Sequence, residues 1–443
     1  MNMKRQLRTF FVLFMVSLCG GCAEEHITEE CTISKTDLPK VKKAIEELNQ
    51  FIHTMDVQTT RSGNVFTVDD VKYVTRSMSA TRSAFEVDNN VIPDTILYLV
   101  NFGDEEDNSG YAVLDATERS GAIILAVVEN GYISPEDFLF DATPVDEEEF
   151  PNFEFYDPLE DDFYVGDEGA MANQFLHFAS ATNSNETPDI SGSGCGSVTD
   201  WRPTKQVAPM IETCWHQEPP FNKYCPLNNK GVHKKAGCVA VAVGHILAYH
   251  GYPQEGLTIE GTACNWEDMR RVANKNNYFK TNEIEKTEQV ARLLAYIGDE
   301  SNMLYGTKQS FAFPNAAKRC LKNKFGYTNT QRHTNYDETK IIEMLDNGCP
   351  VFLAAVSGAV NGHAWVIDGY KKYTRYVNSV QENRYYMHCC WGWPRGRCNG
   401  YYLSKVFDLR NGAIELSHKD TPGTKDCDFD VLYRMVTYDK PVK

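Results

Sequence analysis

The chain has 443 residues, a formal net charge of −17 and 42% hydrophobic residues. That length holds two or three domains, and that apolar share is ample for sizeable cores. The negative balance argues against a nucleic-acid binder and against a protein held on anionic lipid by electrostatics.

Lys4, Arg5 and Arg8 form a basic start, and residues 10–18, FFVLFMVSL, form an apolar stretch too short to span a bilayer. This pattern predicts export. It ends in Cys19, Gly20, Gly21 and Cys22, which resembles a bacterial lipoprotein signal. The resemblance implies residues 1–22 as signal peptide and Cys22 as the lipidated first residue of the mature chain; plain cleavage to a secreted protein is the alternative. Ala23, Glu24 and Glu25 resemble the start of lipoproteins sent to the cell surface. The expected location is therefore the outer membrane or cell surface, with release after processing as an option. No later stretch is long and apolar enough to be transmembrane, so attachment would be through lipid alone.

Residues 23–56 read as an N-terminal linker ending in a helix, KVKKAIEELNQFIHTM at 40–55. Within a region spanning 57–165, residues 57–140 alternate short apolar runs with polar turns: TILYLVNF at 95–102, YAVLDA at 111–116 and AIILAVVENG at 122–131 predict neighbouring strands of a small sheet. The end of this region is acidic. Residues 141–170 hold twelve Asp or Glu and no Lys or Arg, broken by Pro151 and Pro158, the composition of a solvated linker. Residues 166–190, rich in small and polar types, form a linker suited to proteolysis.

Residues 237–253, GCVAVAVGHILAYHGYP, predict an apolar helix that starts at Cys238 and stops at Gly251 and Pro253. At a helix N-terminus the unpaired N–H groups and the positive dipole end favour thiolate, and His233, Lys234 and Lys235 push the same way. Residues 362–370, GHAWVIDGY, place His363 at the start of a strand, and Gln217 lies upstream in Trp-His-Gln. A cysteine at the head of an apolar helix is more often a packed core thiol. The combination is what points to a nucleophile, a base and an oxyanion donor. His245, His250 and His388 read as structural.

The stretch QVAPMIETCWHQEPPFNKY at 206–224 with Cys225 and Pro226, the Cys238 segment and GHAWVIDGY resemble, in that order, the streptopain family of papain-fold cysteine peptidases. The resemblance implies Cys238 as nucleophile, His363 as general acid and base, and Gln217 as the side-chain donor of the oxyanion hole. HCCWGW at 388–393 matches the family's Asn-Trp-Gly-Trp in part: Cys390 holds the Asn position, and Pro394-Arg395 replaces Gly-Gly. A thiol is a weaker partner than an amide, so orientation of His363 would fall to Trp391, by ring packing or through a backbone carbonyl, and a slower enzyme is expected. VKYVTRS, YLVNF and GYAVLDA resemble the family's inhibitory pro-region, which implies a zymogen; an independent binding module is the alternative.

The expected fold class is α+β, a papain-like two-subdomain catalytic domain at 191–440 behind a small α+β pro-domain at 57–165. The expected function is a surface-anchored or secreted endopeptidase, acting on protein or peptide substrates and restrained by its own pro-domain. Two rivals stay open, a peptide-binding surface lipoprotein without activity and a transglutaminase-like acyl transferase. Of fourteen cysteines, two lie in the signal, Cys238 must stay reduced, and the remaining eleven cannot be paired from the sequence. Neither metal nor cofactor is expected, since Cys389, Cys390 and Cys398 lack the spaced partners of a zinc site.

Overall fold

Val41, Ala44, Leu48, Phe51 and Ile52 recur at the spacing of one helical face, and in the computed structural model they are the buried side of helix α1, Pro39–Thr59. The structure describes residues 39–59, 67–75, 95–103, 109–116, 123–129, 131–133, 156–157, 162–163, 165, 198–273, 284–357, 361–396, 398–404 and 433–441. The signal with Cys22, most of the acidic run and the 166–190 linker lie outside them. α1 packs on four antiparallel strands, β1 (Thr67–Thr75), β2 (Thr95–Gly103), β3 (Ser109–Asp115) and β4 (Ile124–Val128). Its Leu48 and Phe51 share one small core with Val100, Ala112 and Val127 of that sheet, so the helix at 39–59 packs as part of the strand region that follows it.

After β5 (Tyr156–Asp157) and β6 (Asp162–Phe163), a short hairpin, the chain reaches Val165, which is fully buried. An acidic composition predicted a solvated linker here. The one aliphatic residue at its end is instead packed into the second half of the molecule, among the residues around Cys238.

That half opens with β7 (Arg202–Val207) and centres on α2, Cys238–His250, whose residues are buried except for Tyr249. A helix apolar on every side belongs inside a core. Gly244 lets its neighbours close in, since a Cβ there would stand 2.8 Å from Leu294 Cδ2. The helix ends as its sequence predicts: Gly251 takes the left-handed conformation (φ 59°) and its N–H donates to the Leu247 carbonyl. Around α2 lie the hairpin β8 (Leu257–Ile259) and β9 (Thr262–Cys264), then α3 (Trp266–Arg271), α4 (Ile284–Glu300) and α5 (Pro314–Arg319).

The strands follow: β10 (Gln331–His333), then α6 (Glu338–Asp346), β11 (Val351–Ser357), β12 (Asn361–Val377), β13 (Val380–Cys390), β14 (Gly400–Leu403) and β15 (Tyr433–Thr437). Helices first and strands second is the α+β layout predicted for this region. β11 and the first half of β12, up to the bulge after Ile367, alternate. Ala354, Ala364 and Val366 join the core around α2, whereas Leu353, Trp365 and Ile367 join the core on α6. At the turn joining β12 to β13, Asn378 and Ser379 both take positive φ (51° and 66°), as a two-residue hairpin requires.

All these strands and the first four form one sheet in the order β1-β2-β3-β4-β14-β13-β12-β11-β15-β10, with β7 also on β12. The joint is β4 against β14, where Gly400, Tyr401 and Tyr402 face Val128, Val127 and Ala126. A side chain on Gly400 would overlap the Val127 carbonyl, so glycine is what lets the two strands meet. α1 reinforces the joint from one face: Phe51 stacks on Tyr373 at 5.6 Å, and buried Lys371 donates to Thr54 Oγ1 at 2.9 Å.

Candidate active site

The thiol of Cys238 sits at the first position of α2, where the N–H groups have no intrahelical partner. Gly237 before it has φ 87°, and a Cβ there would lie 2.5 Å from Met303 Cε. Only glycine serves at that position. Cys238 is 3% exposed, and its Sγ lies 3.8 Å from the Val165 carbonyl oxygen. Val165 is held in turn by Ala312, whose carbonyl accepts from Val165 N–H at 3.1 Å and whose N–H donates to Val165 O at 3.3 Å.

Gln217 reaches the same place through the backbone. Its carbonyl accepts from Ala236 N–H at 2.9 Å, two residues ahead of Cys238. Its side-chain amide is buried, and neither the oxygen nor the nitrogen has a hydrogen-bond partner among the described residues. An unmet buried polar group costs about 1–3 kcal/mol, so such a group calls for a reason other than stability.

His363 opens β12 opposite Ala355. Its ring stands among three indoles, at 5.9 Å from Trp391, 5.3 Å from Trp393 and 6.3 Å from Trp365. Nε2 lies 2.8 Å from the Trp391 carbonyl. A carbonyl only accepts, so Nε2 carries the hydrogen and Nδ1 carries the lone pair, the state needed to take a proton from a thiol. Nδ1 is buried and has no partner among the described residues. Burial pushes the imidazole pKa down to about 4, against the Trp391 hydrogen bond, which pulls it up. The ring is therefore neutral at pH 7 while the site is covered.

The loop that holds His363 lies against the nucleophile's helix. A Cβ on Gly392 would meet Val241 Cγ1, in the first turn of α2, at 2.7 Å. The loop and the first turn of α2 thus touch, with no hydrogen bond between thiol and imidazole. The ring is held by the Trp391 backbone and not by Cys390, the position at which an Asn was expected. Cys390 is buried, pairs with Val366 in the sheet and accepts from Asn399 Nδ2 at 3.8 Å. Cys390→Asn is accordingly expected to change kcat/KM by less than about threefold, which steady-state peptide hydrolysis checks.

The other histidines have structural partners. His245 Nδ1 bonds Thr213 Oγ1 at 2.7 Å, and His250 Nε2 lies 3.3 Å from Tyr438 Oη. His388 is fully buried between two carboxylates, Asp368 at 2.5 Å and Glu129 at 3.3 Å, with Tyr401 edge-on to its ring. Burial alone lowers its pKa, but Asp368 and Glu129 outweigh it and the net shift is upward. Glu129 belongs to the N-terminal half. Docking therefore tightens the hold on the His388 proton, so this contribution is fully present below the ordinary value of 6.5 and is lost as pH rises through the raised value. Thermal melts of the full chain across that range are expected to show wild type losing stability relative to Glu129→Gln as the pH rises. Parallel curves would remove His388 from the joint's pH response.

The nine cysteines among the described residues are buried and no two of them are bonded to each other, and those residues contain no group of three or more His, Cys, Asp or Glu able to hold a metal ion. Sequence reasoning missed two residues here. Val165 was hidden in an acidic stretch, and Asn399 carries no motif of its own.

A cysteine heading a buried helix, a glutamine tied through its backbone to the residue two before that cysteine and a tryptophan-packed histidine on an antiparallel sheet make up the candidate thiol site. Residues 215–402 match the sequence model of the Peptidase C10 family, so this region is similar to the cysteine peptidases of that family. Streptopain of Streptococcus pyogenes is 28% identical over 222 residues, covering 42% of this chain and 52% of that protein. The thiol protease/hemagglutinin PrtT of Porphyromonas gingivalis is 26% identical over 242 residues, 47% of this chain and 26% of that protein. The chain thus spans about half the length of the streptopains it matches. Among solved structures, a fragment of prointerpain A of Prevotella intermedia aligns with a TM-score of 0.47 at 22% identity, covering 77% of this chain and 96% of that one. Active interpain A aligns with a TM-score of 0.38 at 27% identity, covering 52% and 94%.

Proposed function

We propose that the chain is a cysteine endopeptidase made as a zymogen. One observation carries this reading: Gln217 Nε2 and His363 Nδ1, a donor and a base, are both buried and both without partners among the described residues. A thioacyl mechanism employs both. His363 Nδ1 takes the proton from the Cys238 thiol, and the sulfur attacks the scissile carbonyl carbon. Charge moves to the carbonyl oxygen, where the Gln217 amide and the Cys238 backbone N–H receive it. The tetrahedral species collapses as His363 gives its proton to the departing amine. Water, deprotonated by the same ring, then releases the acid.

The zymogen part of the reading is supported by Val165. Its amide and carbonyl are both taken by Ala312 in antiparallel fashion, the way an extended substrate backbone is held, while its oxygen covers the thiol. The N-terminal sheet docked on β14 keeps that cover in place, and a cut between residues 166 and 190 would make its departure concentration-dependent. Export follows from the N-terminal signal, with Cys22 as the lipidated residue of a surface lipoprotein whose substrates are proteins or peptides.

A peptide carrying a thiol-reactive group tests the reading. After an added protease has cut the linker, the expected result is a mass increase of one inhibitor at Cys238 and release of free carboxylates from casein. Trapping without hydrolysis would instead make the protein a peptide binder, and isopeptide products an acyl transferase.

A further inference from the structure

We propose that Asn399 is a positioning residue for the catalytic imidazole, acting through the backbone of Trp391. The proposal rests on the reading of Cys238 and His363 as a reacting pair. Asn399 is 3% exposed, and its side-chain oxygen accepts from Trp391 N–H at 2.9 Å. The carbonyl of that same Trp391 accepts from His363 Nε2 at 2.8 Å. Two hydrogen bonds thus run in series from a buried amide, through one residue's backbone, to the ring.

The rest of Asn399 is equally committed. Its Nδ2 donates to Cys390 Sγ at 3.8 Å, so a single side chain grips residues 390 and 391 together. Its backbone N–H donates to the Gly396 carbonyl at 3.0 Å, and Gly396 N–H donates to the Trp393 carbonyl at 3.0 Å, which closes the loop on itself. Gly396 has φ 63°, and a Cβ there would lie 3.1 Å from Asn399 Nδ2. The loop is therefore shaped to bring Asn399 back onto Trp391. The peptide that holds the ring belongs to Trp391, and the amide that fixes this peptide stands nine residues after Cys390.

Asn399 also carries the joint between the two halves, since its carbonyl accepts from Glu129 N–H at 2.9 Å. Whatever the docked N-terminal sheet does to the position of Asn399 is passed to His363 through the same two bonds.

The test uses the full chain as wild type, Asn399→Ala and Asn399→Asp, each cut in the linker by the same added protease and checked for folding by thermal melting. Two quantities are read: kcat and KM for a peptide substrate, and the rate of Cys238 alkylation by iodoacetamide against pH. A positioned imidazolium stabilises the thiolate, so Asn399→Ala should raise the pH midpoint of alkylation by about one unit. It should lower kcat by about tenfold to hundredfold with KM within about twofold. Asn399→Asp, which keeps an oxygen for Trp391 N–H, should recover most of both. Unchanged kcat and midpoint in Asn399→Ala, or equal losses in Ala and Asp, would overturn the proposal. Should wild type alkylate at a depressed midpoint yet hydrolyse nothing, the peptidase reading fails while the midpoint shift still decides the role of Asn399. If Asn399→Ala does not fold, Asn399→Ser, which stays polar but lacks the reach to Trp391 N–H, decides by the same readouts.

Discussion

Cys238→Ala is expected to leave the chain folded, uncut and without hydrolytic activity. Removing a nucleophile from a triad-type site lowers kcat by roughly 10⁶-fold, because the remaining groups have no bond to form. Folding should survive, since the change removes one sulfur from the first position of α2, where Val239 to Val243 already supply the buried surface. Incubating residues 23–443 of wild type and variant side by side, with fragment masses and casein hydrolysis as readouts, checks it. Processing and hydrolysis in wild type alone would assign both to Cys238. Casein cleavage by the alanine variant at the wild-type rate would sink the assignment, and a cut variant without casein cleavage would mean another protease does the processing.

Gln217→Met separates function from stability. Its amide meets no partner among the described residues, so a side chain of similar length without polar atoms removes an unmet donor and acceptor. Stability should hold or rise, by up to about 1–3 kcal/mol. Activity should fall by about 10²–10³ in kcat, with little change in KM, because the donor is needed where charge develops rather than where substrate docks. Urea unfolding together with steady-state kinetics reads both. A variant that is less active and also much less stable would mean that Gln217 holds the site together instead of serving the oxyanion.

Much of the catalytic region was legible in the sequence. The helix from Cys238 to Gly251 has an apolar run, a glycine on each side and a proline beyond it, and local chemistry alone fixes both ends. His363 was placed near the start of a strand because the apolar run 364–367 follows it directly. What the sequence could not show was which atom of Trp391 does the holding. Its ring stacks beside the imidazole, but the bond is made by the carbonyl, and a backbone acceptor leaves no trace in residue type. Asn399 was invisible for a related reason, as its partner lies eight residues back and the turn between them depends on Gly392 and Gly396 at positive φ. Val165 was lost in composition. Twelve acidic residues in thirty describe a solvated segment, and they say nothing about one aliphatic side chain among them.

The joint between the halves has a consequence for how the chain is made. β14 is four residues long, and one of its flanks is paired by β4. A catalytic region produced without residues 39–133 would begin its existence with that flank bare, offering unpaired amides and carbonyls to any neighbouring copy. Its shortness limits the hazard, and synthesis order removes it: β4 emerges from the ribosome long before β14 and is waiting when the strand arrives. The N-terminal sheet thus covers the edge of β14 from the moment that strand folds.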